Sequence, residues 1–339
     1  MADARKGKAI VRQRQRESSE MRRYDYTIDQ AFELYLSLKK AEGVRPRTFG
    51  EYEPIMRQFR KWLIREFPST TLVSDVSTGI IRSYIVYIRE EHVNERTGEV
   101  GLSPYTVNVR IRFLKAFFNA LFREEIVDAN PMNNVKLMKV DEDTFDPLTD
   151  DEVERLLAVP DTKEYAQWRD LAAMYLILDT GMRVTEVCGL EITEVDFKSR
   201  TITLPASKNK NRRPRVLPLS NTVAKMLYEL VTESKAYFNS EYVFLTNAGL
   251  QYQPDTFRRR LHMYKEKAGI DKKVTPHGLR HLWTRNFLMN GGNVYIAQRI
   301  LGHQCLSTTR KYFQMTEDDL KEQHAQYSPI MRLRTGKRR

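Results

Sequence analysis

One stretch divides this chain. "NPMNNVKLMKVDEDTFDP" (130–147) is polar, has no apolar periodicity and contains two prolines. Apolar residues recur at helical spacing on both sides of it. Such a seam cannot continue either helical face, so it separates two packed bodies rather than interrupting one. A length of 339 residues suits two domains.

Before the seam, four amphipathic helices are expected. In "YTIDQAFELYLSLKKAEG" the spacing of Ile28, Ala31, Phe32, Leu34, Tyr35 and Leu38 is helical, with Thr27 as cap and Gly43 as terminator. A second helix has Tyr52, Ile55, Phe59 and Leu63 on one face, and "STGIIRSYIVYIREEH" gives a third. The fourth bears the stripe Val107, Ile111, Leu114, Phe118 and Leu121. Arg110, Arg112 and Lys115 fall beside that stripe and face either DNA or water. Beyond the seam, "LTDDEVERLLAV" restarts a helix with Thr149 as cap and acids in its first turn, where the helix dipole favours them. The remainder reads as helical except 194–220, where "TITL" and "RVLPL" flank a basic loop as an antiparallel hairpin. "VFLT" (243–246) is expected to add a strand. The fold class is therefore mainly α, two domains, with a small antiparallel β-sheet in the second.

Composition narrows the function. The hydrophobic share of 41% supports a packed core, and no run approaches a membrane span of 18 apolar residues. The start of the chain lacks a signal-peptide core, and Cys188 and Cys305 form neither a disulfide framework nor a metal pattern. A reduced cytoplasmic setting is expected, with nucleoid association when DNA is bound. The net charge of +12 favours a polyanionic partner. Eight Lys/Arg lie in 1–23, five in 208–215 and five in the last eight residues, clusters that suit phosphate backbones.

Four stretches carry candidate chemistry: "LDTGMRVTEVCGL" with Arg183 and Glu186, "SKNKNRRPRVLPL" with Lys208, "TPHGLRHLWT" with His277, Arg280 and His281, and "ILGHQCLSTTRKYF" with His303 and Tyr312. Each has an ordinary explanation. Arg183 and Glu186 form an i,i+3 pair. His277 and His281 have the i,i+4 spacing of zinc ligands, but no glutamate stands between them and Arg280 would repel a cation. Together they form an inventory for metal-free phosphodiester transesterification. Two guanidiniums clamp the nonbridging oxygens of a pentavalent phosphorus. Preorganised donors of that kind supply the largest catalytic share. A tyrosine, with a free pKa of about 10, attacks when cations and a base favour its phenolate. A lysine of lowered pKa protonates the leaving oxygen.

The order Arg…Lys…His-x-x-Arg…His…Tyr, with "TGMRVTEV", "HGLRH" and "LGHQCLSTTRKY", resembles the tyrosine recombinase, or phage integrase, family over roughly 25–325. The resemblance implies a basic tail (1–24), a helical core-binding, DNA-binding domain (25–130), a linker (131–147), a catalytic domain ending in an assembly helix (148–331) and a second basic tail (332–339). It implies that Tyr312 is the nucleophile forming a 3′-phosphotyrosine, that Arg183 and Arg280 hold the phosphate, and that Lys208 is the general acid with Lys210 as the alternative. His277 would move the tyrosine's proton, His303 would hydrogen-bond the phosphate, Glu186 would orient the site and His281 would be structural. Lys210, Arg212 and Arg213, with the cations beside the fourth stripe, are the DNA-binding candidates. Neither cofactor nor metal is implied. The partners implied are two duplex recombination sites and further copies of the chain, monomeric when free and tetrameric at synapsis. Rival readings are a type IB topoisomerase and a catalytically idle DNA-binding relative. Among recombinases, the integrase or transposase of a mobile element stands against an Xer-like chromosome-dimer resolvase.

Overall fold

The computed structural model describes residues 25–94, 98–140, 146–209, 213–302, 321 and 324–330. The chain divides into two compact units, Met1–Asp143 and Thr144–Arg339, each with its own hydrophobic core.

The first unit is built from four helices, α1 (Ile28–Ala41), α2 (Pro46–Glu66), α3 (Thr78–Glu90) and α4 (Pro104–Arg123). Their starts follow the sequence signals. Thr27 and Gln30 form a reciprocal capping box, and Ser77 and Ser103 accept from the first-turn amides of α3 and α4. Pro104 occupies the first turn of α4, where its missing N–H costs nothing. The expected stripe of α4 is fully inside, each residue at most 1% exposed. Aromatic rings fill the space it faces. Tyr35 meets Phe117 edge-on at 5.5 Å, and Phe59 meets Tyr84 at 4.9 Å. Such contacts add about 0.5–1.5 kcal/mol each beyond area burial.

The polar seam is not all linker. Met132 and Val135 are buried in this first core, and Asn108 holds the Met138 backbone at both its N–H and its carbonyl. Asparagine side chains thus satisfy a backbone that no helix or strand could.

The second unit comprises α5 (Asp150–Ala158), α6 (Tyr165–Thr180), α7 (Val184–Cys188), α8 (Asn221–Tyr237), α9 (Pro254–Lys267), α10 (Pro276–Met289) and α11 (Val294–Leu301). Strands β1 (Val195–Asp196), β2 (Thr201–Leu204) and β3 (Arg215–Pro218) make one antiparallel sheet in that order. Helix α6 is the central element, packed between α8 and α10 and buried along most of its length. It carries a charged pair into the core. Asp170, fully buried, accepts from Arg169, Tyr252, Tyr264 and Arg260, so its charge is compensated on every side.

The hairpin expected at 194–220 is present, but its partner strand differs. "VFLT" is no strand. Val243, Phe244 and Leu245 are core residues with isolated bridges at Tyr242 and Leu245 and no ladder. The third strand is Val195–Asp196, registered Val195↔Ile202 on β2. Two residues are too few to show alternation, whereas an apolar run of four suits a strand and a buried loop equally. No helix among the described residues is long and apolar enough to cross a membrane.

Candidate active site

Helix α6 ends at Gly181, in the left-handed conformation (φ +63°). A Cβ there would lie 2.7 Å from the Trp283 ring and 3.0 Å from Leu301 Cδ2, so glycine alone fits both backbone and space. The turn delivers Arg183 to the start of α7. Its main-chain N–H donates to Glu186 Oε2 at 2.9 Å and its Nη1 donates to Glu186 Oε1 at 3.0 Å. Glu186 is buried, so it holds Arg183 from inside.

Thr275 caps α10, with Pro276 in its first turn, and this sets the phase that faces His277 and Arg280 toward Arg183. Arg280 is 2% exposed. Its Nη1 donates to the Gly181 carbonyl at 2.6 Å and its Nη2 to the Leu301 carbonyl at 2.8 Å. Arg183, His277 and Arg280 line one cleft of about 530 Å³. Burial, then the charges of Arg280 and Arg183, lower the His277 pKa, which favours its neutral, proton-accepting form. The His281 ring packs edge-on against His277 at 4.2 Å, which fixes the plane of that imidazole.

Lys208, in the loop between β2 and β3, lies elsewhere on the same unit. Its Nζ ion-pairs with Glu191 at 2.7 Å and Glu194 at 2.8 Å, and donates to the Gly189 carbonyl at 2.8 Å. Burial alone would lower its pKa, but the two carboxylates outweigh burial and the net shift is upward. The sequence expectation of a lysine with lowered pKa is therefore reversed in this state.

Of the remaining expected residues, only some are described. His303, Tyr312, Lys210 and Arg212 lie outside the described residues. Arg213 is exposed beside Asn209, whose side chain donates to its carbonyl. Arg110 and Arg112 take opposite sides of α4. Arg112 is exposed, whereas Arg110 is half-buried, its pKa lowered by burial, with Nε and Nη1 enclosed without a hydrogen-bond partner among the described residues. Lys115 is half-buried.

Sequence reasoning missed three cations. Arg258 and Lys273 line the same cleft as Arg183 and Arg280. Arg215 is buried on β3, with Nη2 on Glu186 Oε2 at 2.6 Å and Nη1 on the Leu301 carbonyl at 2.9 Å. A signal for Arg215 existed. It shares the inward face of its strand with Leu217, and a charge in register with apolar neighbours needs a buried partner. Among the described residues, no group of three or more His, Cys, Asp or Glu stands as metal ligands would.

Both the sequence and the fold match known proteins. The Phage integrase family profile matches residues 147–318, and that of the Phage integrase SAM-like domain matches 27–137. The tyrosine recombinase XerD of Shewanella oneidensis is 26% identical over 309 residues, covering 90% of this chain and 98% of that protein. The tyrosine recombinase XerC of Halalkalibacterium halodurans is 28% identical over 307 residues, covering 88% and 96%. The Tn1549 transposon integrase, solved with transposon right end DNA, has the same fold, with TM-score 0.69 and 20% identity over 89% of this chain and 99% of that one. So does a lambda integrase dimer bound to a COC′ core site, with TM-score 0.65 and 17% identity over 86% and 98%. Family profiles spanning both units, and relatives aligned nearly end to end, lead to one conclusion: the chain belongs to the phage integrase family, the tyrosine recombinases.

Proposed function

We propose that the chain binds duplex recombination sites and exchanges their strands through Tyr312. The phenol oxygen of Tyr312 attacks the scissile phosphorus as the bond to the 5′-oxygen breaks. A 3′-phosphotyrosine and a 5′-hydroxyl result. Neutral His277 takes the phenolic proton, and the ammonium of Lys208, or of Lys210, supplies one to the leaving oxygen. Arg183 and Arg280 hold the nonbridging oxygens, His303 adds a hydrogen bond and Glu186 orients Arg183. A 5′-hydroxyl of the second site then attacks the phosphotyrosine and the protons return. The phosphate bond is exchanged rather than spent, so the cycle draws no energy from a nucleotide.

The observation that carries this reading is the convergence of Arg183, Arg280 and a neutral-favoured His277 on one cleft, with Glu186 beneath Arg183. For Lys208 to act, its ammonium must leave Glu191 and Glu194, so the hairpin loop moves when DNA enters. The first unit serves as the core-binding domain and the second as the catalytic domain. The working assembly is a tetramer on two sites, with the helix expected over 316–331, part of it outside the described residues, as the contact between copies. The test uses nicked duplexes that trap the covalent step. Tyr312→Phe binds DNA as the parent does and forms no adduct. An adduct that survives this change removes Tyr312 from the mechanism, and relaxation of supercoils without exchange favours a topoisomerase.

The finer role we infer is that of an integrase or transposase of a mobile element. It is supported by basic sequence outside the matched domains, eight Lys/Arg in 1–23 and five in 332–339, where the profiles begin at 27 and end at 318. The near full-length similarity to XerC and XerD favours the second reading, resolution of chromosome dimers. Sequencing DNA covalently captured on the chain in its own cells separates the two. Element ends support the first reading, and a single chromosomal site overturns it.

A further inference from the structure

The hydrogen bonds of the second unit close into a ring that no single motif contains. Arg183 bonds Glu186, and Glu186 accepts from Arg215. Arg215 donates to the Leu301 carbonyl, which also accepts from Arg280. Arg280 returns to the Gly181 carbonyl, two residues before Arg183. Arg215 is the member that joins the halves. Without it the two halves stay linked only through the Arg280–Gly181 bond and the main chain, and Glu186 loses its tie to Leu301.

Three further observations concern Arg215. It is paired with Leu204 across the hairpin, so the strand that carries it also anchors the loop bearing Lys208. It packs on Gly302, where a Cβ would come within 2.5 Å of its Nη1; Gly302 directly precedes His303 in the sequence. Its Nε is buried without a hydrogen-bond partner among the described residues. An arginine placed on the inward face of a strand with one donor unsatisfied is a poor way to stabilise a core. Apolar side chains of similar volume usually do as well or better. What the guanidinium provides instead is geometry. Its planar fork fixes two acceptors at a set separation and angle, one on the α7 side and one at the end of α11.

We propose that Arg215 is a positioning residue for strand cleavage: it sets the spacing between the Glu186–Arg183 half and the Leu301–Arg280 half of the phosphate clamp. It touches neither DNA nor the reacting atoms. This inference rests on the reading of Arg183 and Arg280 as the clamp. Lysine at 215 keeps the charge and reaches one acceptor, but cannot bridge two.

The experiment measures cleavage of nicked duplexes by full-length Arg215→Lys and Arg215→Met, with Arg183→Ala as reference and thermal unfolding and DNA affinity in parallel. Two substrates are used, the natural phosphate and a methylphosphonate at the scissile position. The neutral phosphorus of the second leaves the clamp little charge to stabilise. For Arg215→Lys the expectation is DNA affinity and unfolding temperature near the parent, with cleavage of the phosphate about 10–100-fold slower, the usual effect of removing a supporting partner. On the methylphosphonate the gap to the parent narrows sharply, as it does for Arg183→Ala. If Arg215→Met fails to fold, Arg215→Lys alone carries the comparison. An equal loss on both substrates identifies a general structural role and overturns the proposal. So does parental cleavage by Arg215→Lys while Arg183→Ala is inactive. Parental cleavage by Arg183→Ala would bring down the clamp itself, a separate failure.

Discussion

His277 is the residue whose protonation the site controls most directly. Burial and two neighbouring guanidiniums penalise the imidazolium, so the folded-state pKa lies below the usual histidine value of about 6.5. The sign follows from linkage. The unfolded chain binds this proton more readily, so folding gains from the neutral ring above the unfolded value and loses that gain as pH falls below it. As a proton acceptor, His277 should sustain cleavage down to a pH below 6.5 before the rate declines. Single-turnover cleavage against pH should therefore show an acidic limb in the parent that vanishes, at a lower plateau, in His277→Gln. An unchanged limb in that variant assigns the proton transfer to another group. Arg280, by contrast, was legible in the sequence as part of "HGLRH", but its partners were not. Main-chain carbonyls of residues 181 and 301 have no signature in the one-letter code.

At the scale of elements, the hairpin is the part whose resting state differs most from its proposed task. Glu191 and Glu194 hold Lys208 and raise its pKa, away from the lowered value that suits proton donation. The double change Glu191→Gln, Glu194→Gln removes both influences and leaves burial, which lowers it. The alkaline limb of the cleavage profile should then move to lower pH. No movement would show that Lys208 is not the donor, and the same profile on Lys210→Ala tests the alternative. The helices with a side-chain cap and an apolar stripe were the most legible. Thr27 and Thr149 cap where expected, and Val107 to Leu121 bury as spaced. The sheet was half legible. Four-residue runs gave β2 and β3, while Val195–Asp196 is held by pairing alone, and Val243–Leu245 is buried by packing without a ladder.

At the scale of the whole molecule, each unit closes its own core. The first draws on Phe32, Tyr35, Phe59, Trp62, Tyr84 and Phe117, the second on α6 and what surrounds it. A fragment of residues 25–143 should therefore unfold cooperatively alone, retaining Met132 and Val135 against its helices. Cutting at 130, where the polar composition begins, should lower its unfolding temperature by several degrees, since burying an apolar side chain contributes about 1.5–3 kcal/mol. Equal melting of the two fragments would show that 131–138 adds nothing. That boundary was hidden from the sequence because asparagines, not apolar periodicity, tie the segment down. His303 and Tyr312 were read from motif spacing, and the geometry that would bring them to the cleft lies beyond the described residues.

Three helices of the second unit end on a cation. The last carbonyls of α6, α7 and α11 receive Arg280, Lys208 and, at Leu301, both Arg280 and Arg215. The electron-rich end of a helix is a counter-charge that does not titrate. It is also one that point substitution cannot delete, because every amino acid brings the same carbonyl. Part of what lets Arg280 and Arg215 crowd together before any phosphate arrives is therefore inherited by every variant that keeps the helices.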